Sequence, residues 1–238
     1  MEEHQWQSLT VEEVYHLLRD LPVPWWIAGG LAIDLFVGRM TRQHGDIDVL
    51  ILRRHQLILQ EYLGDWDLAK TNQPGLKPWP KGEYLPSGVN QVWCRRTPEA
   101  AWALEIMFME ATEDRWFYRR APSVGGAITK LGCQTPAGIP YLSPEIQLLY
   151  KARSVPLAED EADFQVVLPL LRQEQRAWLK TALEVQFPEG HPWIPQLGTV
   201  MISQQLPEDM ATVHHSSANS GAKKEERYAK TDRFRTGW

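Results

Sequence analysis

The stretch from Trp25 to Leu52 constrains this chain more than any other. It holds an apolar run, Trp25-Trp26-Ile27-Ala28, stopped by Gly29-Gly30, and then Leu31 to Val37 with apolar residues spaced for a short helix. A second apolar run from Asp46 to Leu52 opens with Asp46 and Asp48. This order of periodicities predicts strand, glycine turn, helix and strand. Side chains alternate along a strand, so two carboxylates one residue apart face the same way. Held that close they repel unless a cation sits between them. Mg²⁺ suits the arrangement, because it takes a few carboxylates and completes its octahedron with substrate phosphates and water. The glycines upstream leave room at the start of a helix, where backbone N–H groups favour a phosphate. A phosphate cradle beside an acid pair points to nucleotide chemistry.

A third carboxylate would close a two-metal site, with the ions about 3.5–4 Å apart. Glu105 is the candidate, since it lies inside the apolar run Trp102 to Met109, where an acid must be paired, metal-bound or at an edge. It would serve as ligand and general base. Its other reading is an ion pair with Arg95 or Arg96 on the neighbouring strand. Glu110 ends the same run on the opposite face and is the alternative third acid.

Elsewhere, Thr10 and Glu13 have capping-box spacing ahead of a helix reaching Asp20. A helix is expected over His55 to Leu63 and a strand over Trp66 to Ala69. Pro74, Gly75, Pro78, Pro80, Gly82, Pro86 and Gly88 predict a long surface loop from Thr71 to Asn90, with Lys77, Trp79 and Glu83 shaping an acceptor pocket. Gln91 to Arg95, Trp102 to Met109 and Arg115 to Arg119 read as antiparallel strands, the strand-rich half ending near Gly125-Gly126. Ser143 and Pro144 then start a helix to Arg153, and two more follow over Ala158 to Leu171 and Glu174 to Phe187. The acids Glu159, Asp160, Glu161 and Asp163 fit the first turn of a helix. Residues after Leu206 lack a core-facing pattern, so the expected division is 1–130, 131–205 and a mobile polar tail over 206–238. The many tryptophans read mainly as packing, with Trp79, Trp93 and Trp102 as candidates for stacking.

An apolar fraction of 43% and a charged fraction of 23% exclude wholesale disorder. A net charge of −5 speaks against nucleic acid as a partner. No apolar run approaches the roughly 20 residues of a membrane helix, and the acidic, polar start MEEHQWQSLT is unlike a signal peptide, so a cytoplasmic protein is expected. Cys94 and Cys133 are too few for a disulfide framework and read as free thiols.

The apolar strand, the glycine pair, the short helix with Asp34, the run Gly38-Arg39-Met40-Thr41-Arg42-Gln43-His44 and the Asp46-x-Asp48 pair resemble the minimal nucleotidyltransferase fold of the polymerase-beta superfamily. Within it the chain is most similar to the aminoglycoside 2″-nucleotidyltransferase and lincosamide nucleotidyltransferase group. The resemblance is specific over Trp25 to Arg53 and looser through Tyr141 to Glu145 and Lys151. It implies an α+β fold, a mixed-sheet nucleotidyltransferase core with flanking helices followed by a smaller helical C-terminal domain. It further implies Mg²⁺-dependent transfer of a nucleoside monophosphate, AMP from ATP first among them, to a hydroxyl of a small acceptor. Gly29 and Gly30 would bind the nucleotide with Arg42 and His44, Lys151 would contact the triphosphate, and Asp46, Asp48 and the later acid would hold the metal. The chain departs from the group in having Leu31 where Trp is common and Glu105 where many members have Asp. Two other readings are an enzyme that adenylylates a partner protein, as toxin-neutralising members do, and a non-catalytic nucleotide-binding module.

Overall fold

A computed structural model describes residues 5–71 and 75–198. The tail expected over 206–238 lies outside the described residues. An eight-stranded mixed sheet forms the centre, built from β1 (Trp25–Ala28), β2 (Asp48–Leu52), β3 (Asp67–Thr71), β4 (Leu76–Pro78), β5 (Gln91–Arg95), β6 (Leu104–Met109), β9 (Gly132–Gln134) and β10 (Pro140–Leu142). The order across it is β4-β3-β5-β6-β2-β1-β10-β9. β7 (Arg115–Phe117) and β8 (Gly125–Ala127) form a separate two-stranded ribbon. The helices are α1 (Val11–Leu18), α2 (Gly29–Val37), α3 (Gln56–Tyr62), α4 (Pro144–Lys151), α5 (Ala158–Val167), α6 (Gln173–Gln186) and α7 (Trp193–Leu197).

The locally coded elements form where expected. Thr10 accepts from the Glu13 N–H at 3.1 Å while Glu13 accepts from the Thr10 N–H at 2.8 Å, the capping box that starts α1. The three central strands β6, β2 and β1 are buried along their whole length, which is why their sequences are continuous apolar runs rather than alternating ones. β2 pairs parallel with β6 and antiparallel with β1.

Several expectations change. The strand-rich half does not end at Gly126: β10 inserts parallel to β1, with Ile27 opposite Tyr141, and β9 closes that edge. The sheet therefore runs past residue 130 to Leu142. The third predicted strand leaves the sheet and pairs with β8. The segment over residues 75–90 is mostly exposed, as expected at the surface, but it is anchored: β4 pairs with β3, and Trp79, Leu85 and Val89 are buried. Gln56 and Gln60 of α3 pin it, accepting from the Leu85 N–H at 2.7 Å and the Gly82 N–H at 2.6 Å. Trp79 stands edge-on to Phe108 at 6.0 Å, so it is a core residue and not a stacking platform. Two amides of the segment, at Gly82 and Leu85, are satisfied by side chains, and those of Trp79, Glu83 and Val89 by backbone carbonyls.

α2 lies against β1 and β10 on one side and α4 and α5 on the other, tying the sheet to the helices. α4 in turn packs on α6, and α6 on α7. At the far end His191 is buried: its Nε2 lies 2.9 Å from the Arg153 carbonyl and its Nδ1 accepts from the Trp193 N–H at 3.2 Å. This pattern needs the neutral ring, with the proton on Nε2. Burial lowers its pKa below 6.5, opposed by the bond to Arg153. A lowered folded pKa means that the unfolded chain takes up the proton first. Stability is thus complete above about pH 6.5 and falls as the pH drops through and below it. A His191→Gln variant, measured by urea unfolding between pH 7.5 and 5.5, should lose that slope.

Candidate active site

Asp48 and Glu105 lie directly opposite each other on the parallel strands β2 and β6. Asp46 precedes β2 rather than lying on it, yet its carboxylate still reaches the same place. One oxygen from each of Asp46, Asp48 and Glu105 lies within 4.8 Å of the others, with Asp48 and Glu105 buried. Glu110 sits at the other end of β6, paired with Arg53. Arg95 pairs instead with Asp67 at 2.6 Å and lies over the Trp102 ring, and Arg96 lies over Trp66. Three hard oxygen donors gathered this closely fit a small divalent cation such as Mg²⁺.

The glycine pair forms the first turn of α2 rather than a turn ahead of it. Gly29 has φ +67°, and a Cβ there would stand 2.0 Å from Asp48 Oδ2. Glycine thus permits both the left-handed backbone and the close approach of the carboxylate. A Cβ on Gly30 would stand 2.4 Å from His44 Nδ1 and 2.7 Å from Arg42 Nη2. Both glycines are therefore filled against by side chains of the second motif. A Gly29→Ala variant should fold with a modest loss of stability, roughly 1–2 kcal/mol from the backbone alone. It should lose most divalent-cation binding as Asp48 is displaced, which calorimetric titration of Mn²⁺ would read.

The Gly29 N–H is not open to a phosphate, since it donates to Gln147 Oε1 of α4 at 2.9 Å. The next amides, at Gly30 and Leu31, belong to the first turn, where no carbonyl within the helix can accept from them. Gln147 escaped the sequence reading because nothing local marks it: it lies in a buried helix 118 residues away. Its Nε2 is buried without a hydrogen-bond partner.

Arg42 and His44 are each held by an acid. His44 Nε2 lies 2.7 Å from Asp34 Oδ2, and Asp34 also accepts from the Thr41 N–H at 3.0 Å, so one buried aspartate of α2 organises the loop before β2. Arg42 donates to Asp163 at 3.2 and 3.3 Å. Lys151 is buried between Asp160 at 3.1 Å and Asp163 at 2.8 Å. Asp160 and Asp163 are therefore more than helix-terminus acids: they join α4, α5 and the Arg42 loop. Lys151, Asp163 and Arg42 form a chain that ends beside Gly30.

Trp93 of β5 lies opposite Glu105, and its Nε1–H donates to Glu105 Oε2 at 3.2 Å. Cys94 beside it is fully buried. Burial, with Glu105 and Asp67 nearby, pushes its thiol pKa far up, so it stays protonated and inert. Among the described residues no helix is long and apolar enough to cross a membrane.

Residues 10–73 match the family described as aminoglycoside-2″-adenylyltransferase. No curated protein matches by sequence. Among solved structures, the antibiotic-resistance factor ANT(2″)-Ia, in solution, matches with a TM-score of 0.50 at 16% identity, covering 75% of this chain and 91% of that one. The lincomycin-bound lincosamide adenylyltransferase LnuA matches at 0.49 and 19% identity, over 69% of this chain and 100% of that one. ANT(2″)-Ia in complex with adenylyl-2″-tobramycin matches at 0.47 and 15% identity, over 72% and 94%. At 16% identity the likeness to the solution structure speaks for the fold alone. The segment that supplies the glycine turn and two of the three carboxylates thus carries the sequence pattern of the aminoglycoside-2″-adenylyltransferase family, on a fold similar to that of ANT(2″)-Ia.

Proposed function

We propose that this enzyme transfers AMP from ATP to a hydroxyl of a small antibiotic-like acceptor and releases pyrophosphate, with Asp46, Asp48 and Glu105 as its metal-binding acids. The observation that carries the reading is the convergence of these three carboxylates within 4.8 Å beside the first turn of α2. Bound there, Mg²⁺ would offset the charge of the triphosphate and of the leaving pyrophosphate.

The residues of the chain do the rest. The Gly30 and Leu31 amides and the dipole of α2 receive phosphate oxygens. Arg42, held by Asp163, and His44, held by Asp34, flank the same turn and orient the nucleotide. Lys151 supports this side through Asp163. The acceptor hydroxyl attacks the α-phosphorus as its proton passes to Glu105. The new oxygen–phosphorus bond forms while the bond to pyrophosphate breaks, and the proton later leaves to solvent. The sheet with α2 is the catalytic unit in this reading, and α4 and α5 support its glycine turn through Gln147, Lys151 and Asp163.

The family match over residues 10–73 supports an antibiotic acceptor. Incubation with ATP, Mg²⁺ and a panel of aminoglycosides and lincosamides, read by pyrophosphate release and by the product's mass gain of one adenylyl group, tests it. Modification of at least one panel member is expected. Nucleotide turnover with no modified small molecule, and label appearing in protein instead, would replace this reading with protein adenylylation.

A further inference from the structure

We propose that residues 5–9 are a strap that positions the acidic triad from both ends, with Ser8 steadying the backbone before Asp46, and with Trp93, braced by Trp6, orienting Glu105. The proposal rests on the reading of the triad as a metal site. The strap lies ahead of residue 10, where the family match begins.

Three hydrogen bonds lay this segment alongside the chain that leads into β6. The Gln7 N–H donates to the Trp102 carbonyl at 2.9 Å, the Trp102 N–H to the Gln5 carbonyl at 2.9 Å, and the Leu9 N–H to the Ala103 carbonyl at 3.0 Å. The pairing is parallel, so the strap extends the direction of β6 at the end that carries Glu105. Two of its side chains then reach the supports of the triad. Ser8 Oγ donates to the Gly45 carbonyl at 2.9 Å. Asp46 follows directly and lies before the first residue of β2, next to Ile47, whose carbonyl accepts from the Glu105 N–H at 3.0 Å.

The other end is an aromatic clamp. The Trp6 ring meets Trp93 edge-on at 5.0 Å and 74°, and Trp102 meets it edge-on at 5.7 Å and 62°. With both rings packed against it, the Trp93 indole offers its N–H to Glu105 Oε2. A donor on one carboxylate oxygen fixes the rotation of the group, as outer partners do for metal ligands generally. Trp93 is thus a positioning residue. Its aromatic bulk alone would explain packing, but not the aim of its N–H at the acid that faces Asp48.

The test uses the full chain and the affinity for Mn²⁺, read by electron paramagnetic resonance of free Mn²⁺ in the presence of a non-hydrolysable ATP analogue. Trp93→Phe keeps a ring in the clamp and deletes the N–H. It should weaken Mn²⁺ binding about tenfold, the lower end for loss of an outer partner, with an unchanged melting temperature. Ser8→Ala should weaken it severalfold. Wild-type affinity in Trp93→Phe, while Asp48→Asn abolishes binding, would overturn the strap and leave the metal site standing. Absence of Mn²⁺ binding by the wild type would overturn the metal site itself. Should Trp93→Phe not fold, wild-type affinity in both Ser8→Ala and Trp6→Leu would overturn the proposal equally.

Discussion

Asp46→Asn combined with Asp48→Asn should abolish nucleotidyl transfer while leaving the fold intact. Electrostatic stabilisation by a metal clamp contributes several kcal/mol to such a transfer, so turnover should fall at least about a thousandfold. The melting temperature should move the other way. In the absence of a cation the two carboxylates and Glu105 repel across less than 5 Å, roughly, and neutral amides relieve that repulsion. The double variant should therefore melt no lower than the wild type without metal, and should lose the stabilisation that Mg²⁺ with ATP gives the wild type. Melting scans with and without Mg²⁺ and ATP, beside a pyrophosphate assay, read both effects. A variant that retains turnover would remove the acids from the mechanism. Lower stability without metal would make them structural partners instead.

Lys151→Met should act on stability first. The ammonium is buried between Asp160 and Asp163, which are themselves almost fully buried. Removing one partner of such a cluster leaves carboxylates in a poor environment for charge, typically at about 3–5 kcal/mol. The lower end, about 3 kcal/mol, is expected here, because Arg42 and Arg153 still face the same acids. For a chain of this size that is a fall of roughly 6–12 °C in melting temperature. The Michaelis constant for ATP should rise as well, because Asp163 holds both Lys151 and Arg42, and Arg42 lies against Gly30. A direct triphosphate contact predicts the opposite weighting, a large rise in the Michaelis constant with little change in melting. Urea unfolding and ATP titration on the same variant separate the two roles.

The parts of the site that the sequence displayed are those set by spacing along one stretch of chain. The glycine pair, the Asp46-x-Asp48 pair and the capping box of α1 need only neighbours a few residues apart. Glu105 was legible for a different reason: an acid in a buried run is conspicuous, because burying a charge without a partner is costly. What the sequence left out, the anchors of the surface segment over 75–90 and the continuation of the sheet past 126, depends on long-range pairing. Gln56 and Gln60 look like ordinary helix-surface residues until Gly82 and Leu85 are found to need acceptors. β10 is three residues long, and nothing in Pro140-Tyr141-Leu142 announces a slot beside β1.

By itself, then, the sequence determined the order of the elements around the glycine turn and the three acids that meet there. These follow from periodicity, backbone freedom and the cost of buried charge, which act within a few residues. Only the tertiary structure decided that Gln147 occupies the Gly29 amide, that Asp163 joins Lys151 to Arg42, and that Trp93 aims its N–H at Glu105. Each of these bonds joins residues distant in sequence or on different elements. Their partners are chosen by the register of the sheet and the packing of α4 and α5 on α2, which no local pattern encodes.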